Sequence, residues 1–261
     1  MFIGICQTDI IQCDKERNIL VAEDYIARCS AKGAKLVLFP EMSFTGYEKN
    51  PGEIAEDYHG GILLDRVSTY ARKYNTYIGF GFAGEKNGSY YNRYEIVSPE
   101  GKIICEYNKI HPFSYDGEDV FYTSGDSISF CEIDGITICP LICYDLRFPE
   151  LFQSASKSAD LILVPANWGG ARNEHWKLLI RARAVENQCY VAGINRVGVT
   201  NDNFYVGNSA IVDPKGTVCE ALKDAEDFAV AYIDKTLVKE FREEFPVKKD
   251  RRPDLYYKLG I

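Results

Sequence analysis

Basic residues are in short supply. Lys and Arg total 30 against 38 Asp and Glu, leaving a net charge of −8 at pH 7. No run of Lys or Arg exceeds two residues, so the chain lacks the cationic footprint of a nucleic-acid binder, and no nucleic-acid partner is expected. Long apolar runs are missing as well. Nothing approaches the ~18–20 residues that span a bilayer, so no membrane partner is expected. The apolar start, residues 1–11, has no basic segment and meets Asp9 too soon for a signal peptide. Histidine is limited to His59, His111 and His175, without metal-ligand spacing, so no metal or other cofactor is expected. Nine cysteines contain no CxxC pair and leave an odd thiol, which reads as reduced thiols in a cytoplasm and not as a disulfide framework. Linkers rich in Gly, Ser or Pro are absent too, so a single domain over 1–261 is expected.

What is present is the composition of a folded globular chain. Hydrophobic residues make up 46% and charged residues 26%, enough apolar surface to offset the entropy of ordering, which excludes a disordered chain. The apolar period switches repeatedly between strand and helix. Residues 2–7 form a strand-length run. From Asp14 the residues Ile19, Ala22, Ile26 and Cys29 recur at helical spacing, with Gly33 where a C-cap belongs. A buried strand over 35–39 stops at Pro40, a second helix follows Leu63, Val67, Tyr70 and Tyr74, and a strand covers 77–82. This β-α-β-α-β order places helices on a sheet, an α/β fold.

Hairpins follow, 91–97 with 103–107 around Pro99-Glu100-Gly101, and 128–133 with 136–142 around Asp134-Gly135. Helices at 149–157 and 173–188 alternate with strands at 161–164 and 189–195. A last group of strands includes 210–212 and 217–221, turned by Asp213-Pro214-Lys215-Gly216. Residues 234–245 look helical, and a charged tail runs from Pro246. Two features recur: a strand ending in Pro (Phe39-Pro40, Val164-Pro165) and a hairpin turned by Pro-x-Gly. They hint at two similar halves, although two short matches do not establish a duplication.

Three polar residues stand directly after strand-like runs: Glu41, Lys109 and Cys143. Ligands bind near strand ends in sheets covered by helices. A thiol that attacks a carbonyl, a carboxylate that takes its proton and an ammonium that steadies the oxyanion form a coherent chemical set. Each residue alone has an ordinary explanation. A Cys closing an apolar run is commonly a small buried hydrophobe, a Glu after Pro a loop or cap residue, and a Lys after a hairpin a solvated one.

The words around them carry more. Phe39-Pro40-Glu41, Tyr107-Asn108-Lys109-Ile110-His111 and Cys143-Tyr144-Asp145-Leu146-Arg147-Phe148-Pro149-Glu150 occur in that order, with the three polar residues about 68 and 34 residues apart. With them stand the run 164–168, His175-Trp176, the run 181–188, Gly207-Asn208-Ser209 and the tail from Phe245-Pro246 to Arg252-Pro253-Asp254-Leu255-Tyr256. The whole resembles the nitrilase superfamily of carbon–nitrogen hydrolases over nearly its full length. That resemblance implies a four-layer α-β-β-α sandwich, commonly dimerised through helices. It also implies a triad in which Cys143 is the nucleophile, Glu41 the general base and Lys109 the cation on the substrate carbonyl. Glu118, ahead of Phe121-Tyr122-Thr123-Ser124-Gly125, matches a second glutamate found in such enzymes.

The Cys-Tyr-Asp-x-Arg-Phe word resembles amidases more than the nitrile-cleaving branch, where Trp-Glu usually follows Cys. Ala166-Asn167-Trp168, Arg172 and His175-Trp176 are similar to the ω-amidase group, which hydrolyses small dicarboxylate monoamides such as 2-oxoglutaramate or 2-oxosuccinamate. Amidases of deaminated glutathione are the alternative within the superfamily, followed by N-carbamoyl and nitrile hydrolases. A papain-like pairing of Cys143 with His111 or His175 lacks the Cys-Gly-x-Cys-Trp context, and a catalytically silent binding protein should have lost a triad member. The small-molecule substrate is expected to meet the backbone N–H of Tyr144, with Arg147, Trp168 and Arg172 as further candidates. Trp168 is expected to line the pocket because it follows a strand end. Arg147 either reads the substrate carboxylate or pairs with Asp145 or Glu150, and His175 and Trp176 are expected to pack. The helix at 176–188 carries apolar residues on more than one face, so at least a homodimer is expected.

Overall fold

A computed structural model describes residues 1–200 and 203–260; Asn201, Asp202 and Ile261 lie outside the described residues. In chain order come β1 (Phe2–Gln7), α1 (Lys15–Ala31), β2 (Leu36–Leu38), β3 (Glu56–Asp57), α2 (Ile62–Tyr74), β4 (Tyr77–Lys86), β5 (Ser89–Val97), β6 (Ile103–Asn108) and the single turn α3 (Glu118–Phe121). Next are β7 (Cys131–Ile133), β8 (Ile136–Pro140), α4 (Pro149–Ala155), β9 (Leu161–Ala166), α5 (Asn173–Asn187), β10 (Tyr190–Asn195), β11 (Val197–Thr200) and β12 (Asn203–Val206). The chain closes with β13 (Ala210–Val212), β14 (Val218–Ala221), β15 (Asp227–Tyr232), α6 (Lys235–Glu244) and α7 (Pro253–Lys258).

One sheet runs β15-β1-β2-β4-β5-β6, with β3 added against β4; the other runs β14-β13-β10-β9-β8-β7. Strand alternation assigns the faces. Leu36 and Leu38 of β2 point into a core shared with Ile138, Leu163 and Ile194 of the second sheet. Val37, Phe39, Ile78, Phe80 and Phe82 turn the other way, onto Ile19, Ile26 and Val67 of α1 and α2. β9 is buried along its whole length, as a strand covered on both faces must be, and Phe152 of α4 with Trp176 and Ile180 of α5 closes the outer layer. The order is helices, sheet, sheet, helices: a four-layer α-β-β-α sandwich.

The two sheets share a topology. β1-β2-β4-β5-β6 pair as parallel, parallel, antiparallel, antiparallel. β8-β9-β10-β13-β14 pair in the same sequence. The two strand-Pro words fall on the equivalent strands β2 and β9, and the two Pro-x-Gly turns on the equivalent hairpins β5-β6 and β13-β14.

Local chemistry fixed most boundaries. Asp14 caps α1 by accepting from the Arg17 N–H, and Gly33 follows the helix at φ +84°. β4 outlasts its expected end and reaches Lys86, because Ser89–Val97 pairs with it through a tight turn at Asn87-Gly88. The strand expected from 128 begins only at Cys131. The charged tail from Pro246 packs back on the fold. Lys248 donates to the Ser156 carbonyl, Arg251 to the Gln153 side chain, and residues 253–258 form α7.

Candidate active site

Glu41, Lys109, Glu118 and Cys143 line one cavity, with Tyr47, Phe113, Asn167, Arg172 and Tyr205 among its other walls. Glu41, Lys109 and Cys143 each arrive just beyond the end of a strand, and Glu118 opens α3. Glu41 follows β2 in a turn pressed against β4, where a Cβ on Gly81 would stand 2.5 Å from the Met42 nitrogen. Only glycine allows that approach. Lys109 follows β6, and its backbone N–H donates to the Asn92 carbonyl at 2.9 Å. Cys143 opens a short 3₁₀ turn, Cys143–Arg147, with φ +45°. Such a conformation costs a non-glycine residue of order 1–3 kcal/mol, and it aims the side chain out of the sheet end.

Asp145 holds that turn in place. Fully buried, it accepts from the Ile142 N–H (2.9 Å) and Tyr107 hydroxyl (2.7 Å) on one oxygen, and from the His111 N–H (3.0 Å) on the other. The nucleophile turn is thereby tied to the β6 segment that carries Lys109. The same bonds remove Asp145 as a partner for Arg147, one of the two alternatives read from the sequence.

Lys109 Nζ donates to Glu41 Oε1 at 2.8 Å and to Glu118 Oε2 at 2.7 Å, all three side chains being buried. Asn92, on β5, donates to the same two carboxylates, at 2.6 Å to Glu41 and 2.8 Å to Glu118. Backbone N–H groups complete the set: Asn167 to Glu41 Oε2 and Phe113 to Glu118 Oε2, both at 2.7 Å. Burial opposes the Lys109 charge, yet Glu118, Glu41 and Cys143 together hold its pKa well above the ordinary lysine value. Burial and then Glu41 push the Cys143 thiol well up, with Lys109 pulling it down. Burial and the neighbouring Glu41 thus both favour the protonated form of the sulfur.

The remaining candidates separate. Arg172 lines the cavity, its guanidinium 5.3 Å from the Phe113 ring centroid. Trp168 does not line it, contrary to expectation. Its indole turns into the core, 4 % exposed, between Arg147 (4.6 Å) and Trp176 (5.6 Å), because its N–H finds the Arg172 carbonyl at 2.8 Å. Arg147 stands outside the lining, its Nη2 3.4 Å from His175 Nδ1. Trp176 packs as expected, whereas His175 is exposed. Sequence reading missed Asn92; the signal was a polar residue in register with Tyr94 and Ile96 on an otherwise apolar face. Among the described residues no group of three or more His, Cys, Asp or Glu is placed to hold a metal ion, and no helix is long and apolar enough to cross a membrane.

Known proteins share this architecture. The chain is 37% identical to the 2-oxoglutaramate amidase of Bacillus subtilis (strain 168), over 97% of its own length and 98% of the relative's. It is 37% identical to Omega-amidase YafV of Yersinia enterocolitica, over 95% of each. It is 28% identical to the deaminated glutathione amidase of Homo sapiens, over 99% of this chain and 84% of that one. Among solved structures, XC1258 of Xanthomonas campestris, a CN-hydrolase superfamily protein with an arsenic adduct in its active site, superposes with a TM-score of 0.91 at 30% identity and 97% coverage of each chain. The family model for carbon-nitrogen hydrolases matches residues 2–243, and with the fold and these relatives it settles that the chain belongs to the carbon-nitrogen hydrolase family.

Proposed function

We propose that this chain is an ω-amidase, hydrolysing the terminal amide of a short dicarboxylate monoamide such as 2-oxoglutaramate or 2-oxosuccinamate to the dicarboxylate and ammonia. The observation that carries the reading is one cavity in which a thiol, a carboxylate bonded to a buried ammonium, and an arginine outside that ion-pair cluster converge. The names of the relatives from B. subtilis and Y. enterocolitica support the same substrate class.

Cys143 attacks the amide carbon while Glu41 takes the thiol proton, so charge passes from sulfur to the carbonyl oxygen without a free buried thiolate. That oxygen becomes an oxyanion held by Lys109 and by the Tyr144 N–H at the start of the 3₁₀ turn. A donor of this kind is typically worth ~3–4 kcal/mol of barrier. Glu41 returns the proton to the nitrogen, ammonia leaves, and a thioester remains on Cys143. Water, deprotonated by Glu41, attacks the thioester; the C–S bond breaks, the acid leaves, and Glu41 returns its proton to the Cys143 sulfur. Glu118 holds Lys109 from its far side. Arg172 binds the substrate carboxylate, and a planar guanidinium sets both its distance and its orientation. Free glutamine is a poor substrate on this reading, its α-ammonium facing the same guanidinium.

Ammonia release from a panel of monoamides, nitriles and N-carbamoyl compounds tests the assignment. Turnover led by 2-oxo dicarboxylate monoamides is expected. A clear preference for deaminated glutathione would move the substrate to the alternative that the human relative represents, with the triad chemistry intact.

The active form is a homodimer. On α5 the buried face carries Trp176, Ile180 and Ala184, while Leu178 and Val185 remain 67% and 49% exposed on the opposite side. A second copy of the chain covering them explains an apolar face that the fold leaves in solvent. A monomeric mass by light scattering at micromolar concentration would refute it. Nine cysteines without disulfide spacing support a cytoplasmic setting.

A further inference from the structure

Arg172 is placed by a short turn. Its N–H donates to the Gly169 carbonyl at 3.0 Å, closing the loop after β9. The loop lies flat against β12, where a Cβ on Gly170 would fall 2.1 Å from the Phe204 ring. Trp168 begins this turn and is gripped at both ends. Asn195, on β10, accepts from the Trp168 N–H (2.8 Å) and donates to its carbonyl (3.1 Å). The indole N–H reaches forward to the Arg172 carbonyl at 2.8 Å. The ring is held between Trp176, itself pinned by a bond to the Asn208 carbonyl at 2.8 Å, and the guanidinium of Arg147.

Two cations therefore stand on either side of one indole-held turn. Among the described residues no carboxylate oxygen lies within 4.0 Å of Arg147 or Arg172. Burial, and then Arg172, lower the pKa of Arg147, which places the two guanidinium groups in each other's field. An anion arriving at Arg172 relieves that repulsion as well as making its own contact.

We propose that Trp168 is a positioning residue for substrate selection: its indole N–H fixes the Arg172 backbone so that the guanidinium stays over the cavity, and Arg147, seated on the same indole, adds a second positive charge behind it. This inference rests on the reading of Arg172 as the carboxylate contact. It assigns the preference for an acidic amide to a three-residue unit of which only Arg172 touches the substrate. The Cys143 chemistry takes no part in it.

Trp168→Phe keeps an aromatic ring beside Trp176 and Arg147 and removes the N–H together with one of the two fused rings. It is expected to raise KM for 2-oxoglutaramate about fivefold and to lower the selectivity for 2-oxoglutaramate over butyramide, as a ratio of kcat/KM, by a similar factor. Arg147→Gln is expected to lower the same ratio, more at low than at high ionic strength, as a charge acting across a distance must. Arg172→Met serves as the reference and is expected to lower it about a hundredfold. Equal losses on both amides in Trp168→Phe would reduce Trp168 to packing and overturn the inference. An unchanged ratio in Trp168→Phe or in Arg147→Gln, with a collapsed one in Arg172→Met, would also overturn it while sparing the carboxylate reading. An unchanged ratio in Arg172→Met would remove that reading itself.

Discussion

Glu41 and Glu118 are held together by the same two donors, Lys109 Nζ and Asn92 Nδ2. Two buried carboxylates side by side repel, and one ammonium neutralises only one of them. The Asn92 amide supplies the second bond to each without adding charge. The arrangement holds both carboxylates in place around Lys109. It also makes Lys109 a shared ion, unable to approach the substrate oxygen without its distance to both glutamates being set.

Cys143→Ala is expected to abolish turnover while leaving circular dichroism and elution volume unchanged. Residual ammonia release above about a hundredth of wild type would direct attention to another of the nine thiols.

Glu41→Gln and Lys109→Met should each lower kcat by several orders of magnitude, and their losses should not add, because both groups act on one transition state. Steady-state kinetics of the single and double variants checks this. The assignment fails if both single variants stay within tenfold of wild type.

Alkylation of Cys143 offers a separate view of the charge balance. Burial and the Glu41 carboxylate both raise the thiol pKa, so the pH midpoint of iodoacetamide labelling should lie above that of an ordinary cysteine. Glu41→Gln removes the like charge and should move that midpoint down; Lys109→Met removes the opposing cation and should move it up.

Asn92→Leu leaves the two carboxylates without their common neutral donor. Hydrogen bonds to charged groups are worth ~1.5–3 kcal/mol each, so a loss of about 2 kcal/mol in urea unfolding and at least a tenfold drop in kcat are expected. A variant as stable and active as wild type would show that Lys109 alone holds the pair.

Glu95, two strand residues beyond Arg93 on β5, gives a pH signature away from the site. Burial pushes its pKa up to about 7, with Arg93 opposing, against ~4.3 in an unfolded chain. Between these values the native state keeps a proton that the unfolded state has released, so stability falls as pH rises through the window, by up to ~1.4 kcal/mol per unit. Urea midpoints measured from pH 4.5 to 7.5 should fall more steeply in wild type than in Glu95→Gln. Parallel slopes would contradict the raised value.

The sequence made the chemistry of the site legible because Glu41, Lys109 and Cys143 each sit where a strand ends, inside words that mark them. Helix and strand alternation also carried the layer order, since Val37 and Leu38 must face opposite ways. Partners spread along the chain were harder to see. Asn92 lies inside a strand with no motif around it, and its role exists only once β2, β5 and α3 meet. Trp168 was misplaced for a similar reason: a strand-end position says where a residue starts, whereas the destination of an indole N–H depends on which carbonyl the next turn presents. The charge of the tail did not say where it docks: Lys248 and Arg251 spend donors on Ser156 and Gln153, far away in the chain.

The matching topology of the two sheets has a consequence for how the site could be divided. Glu41, Asn92 and Lys109 come from the first array of strands and Glu118 from α3 that follows it, whereas Cys143, the Asn167 N–H and Arg172 come from the second array. Two like scaffolds thus carry unlike cargo, one the proton-handling groups and the other the nucleophile and anion reader. A nick between α3 and β7 would separate an acid–base half from a thiol half, the thiol half also carrying β15, the edge strand of the first sheet, and neither half able to turn over alone. Activity recovered on mixing two such fragments would report their docking directly, a complementation assay built into the symmetry of the chain.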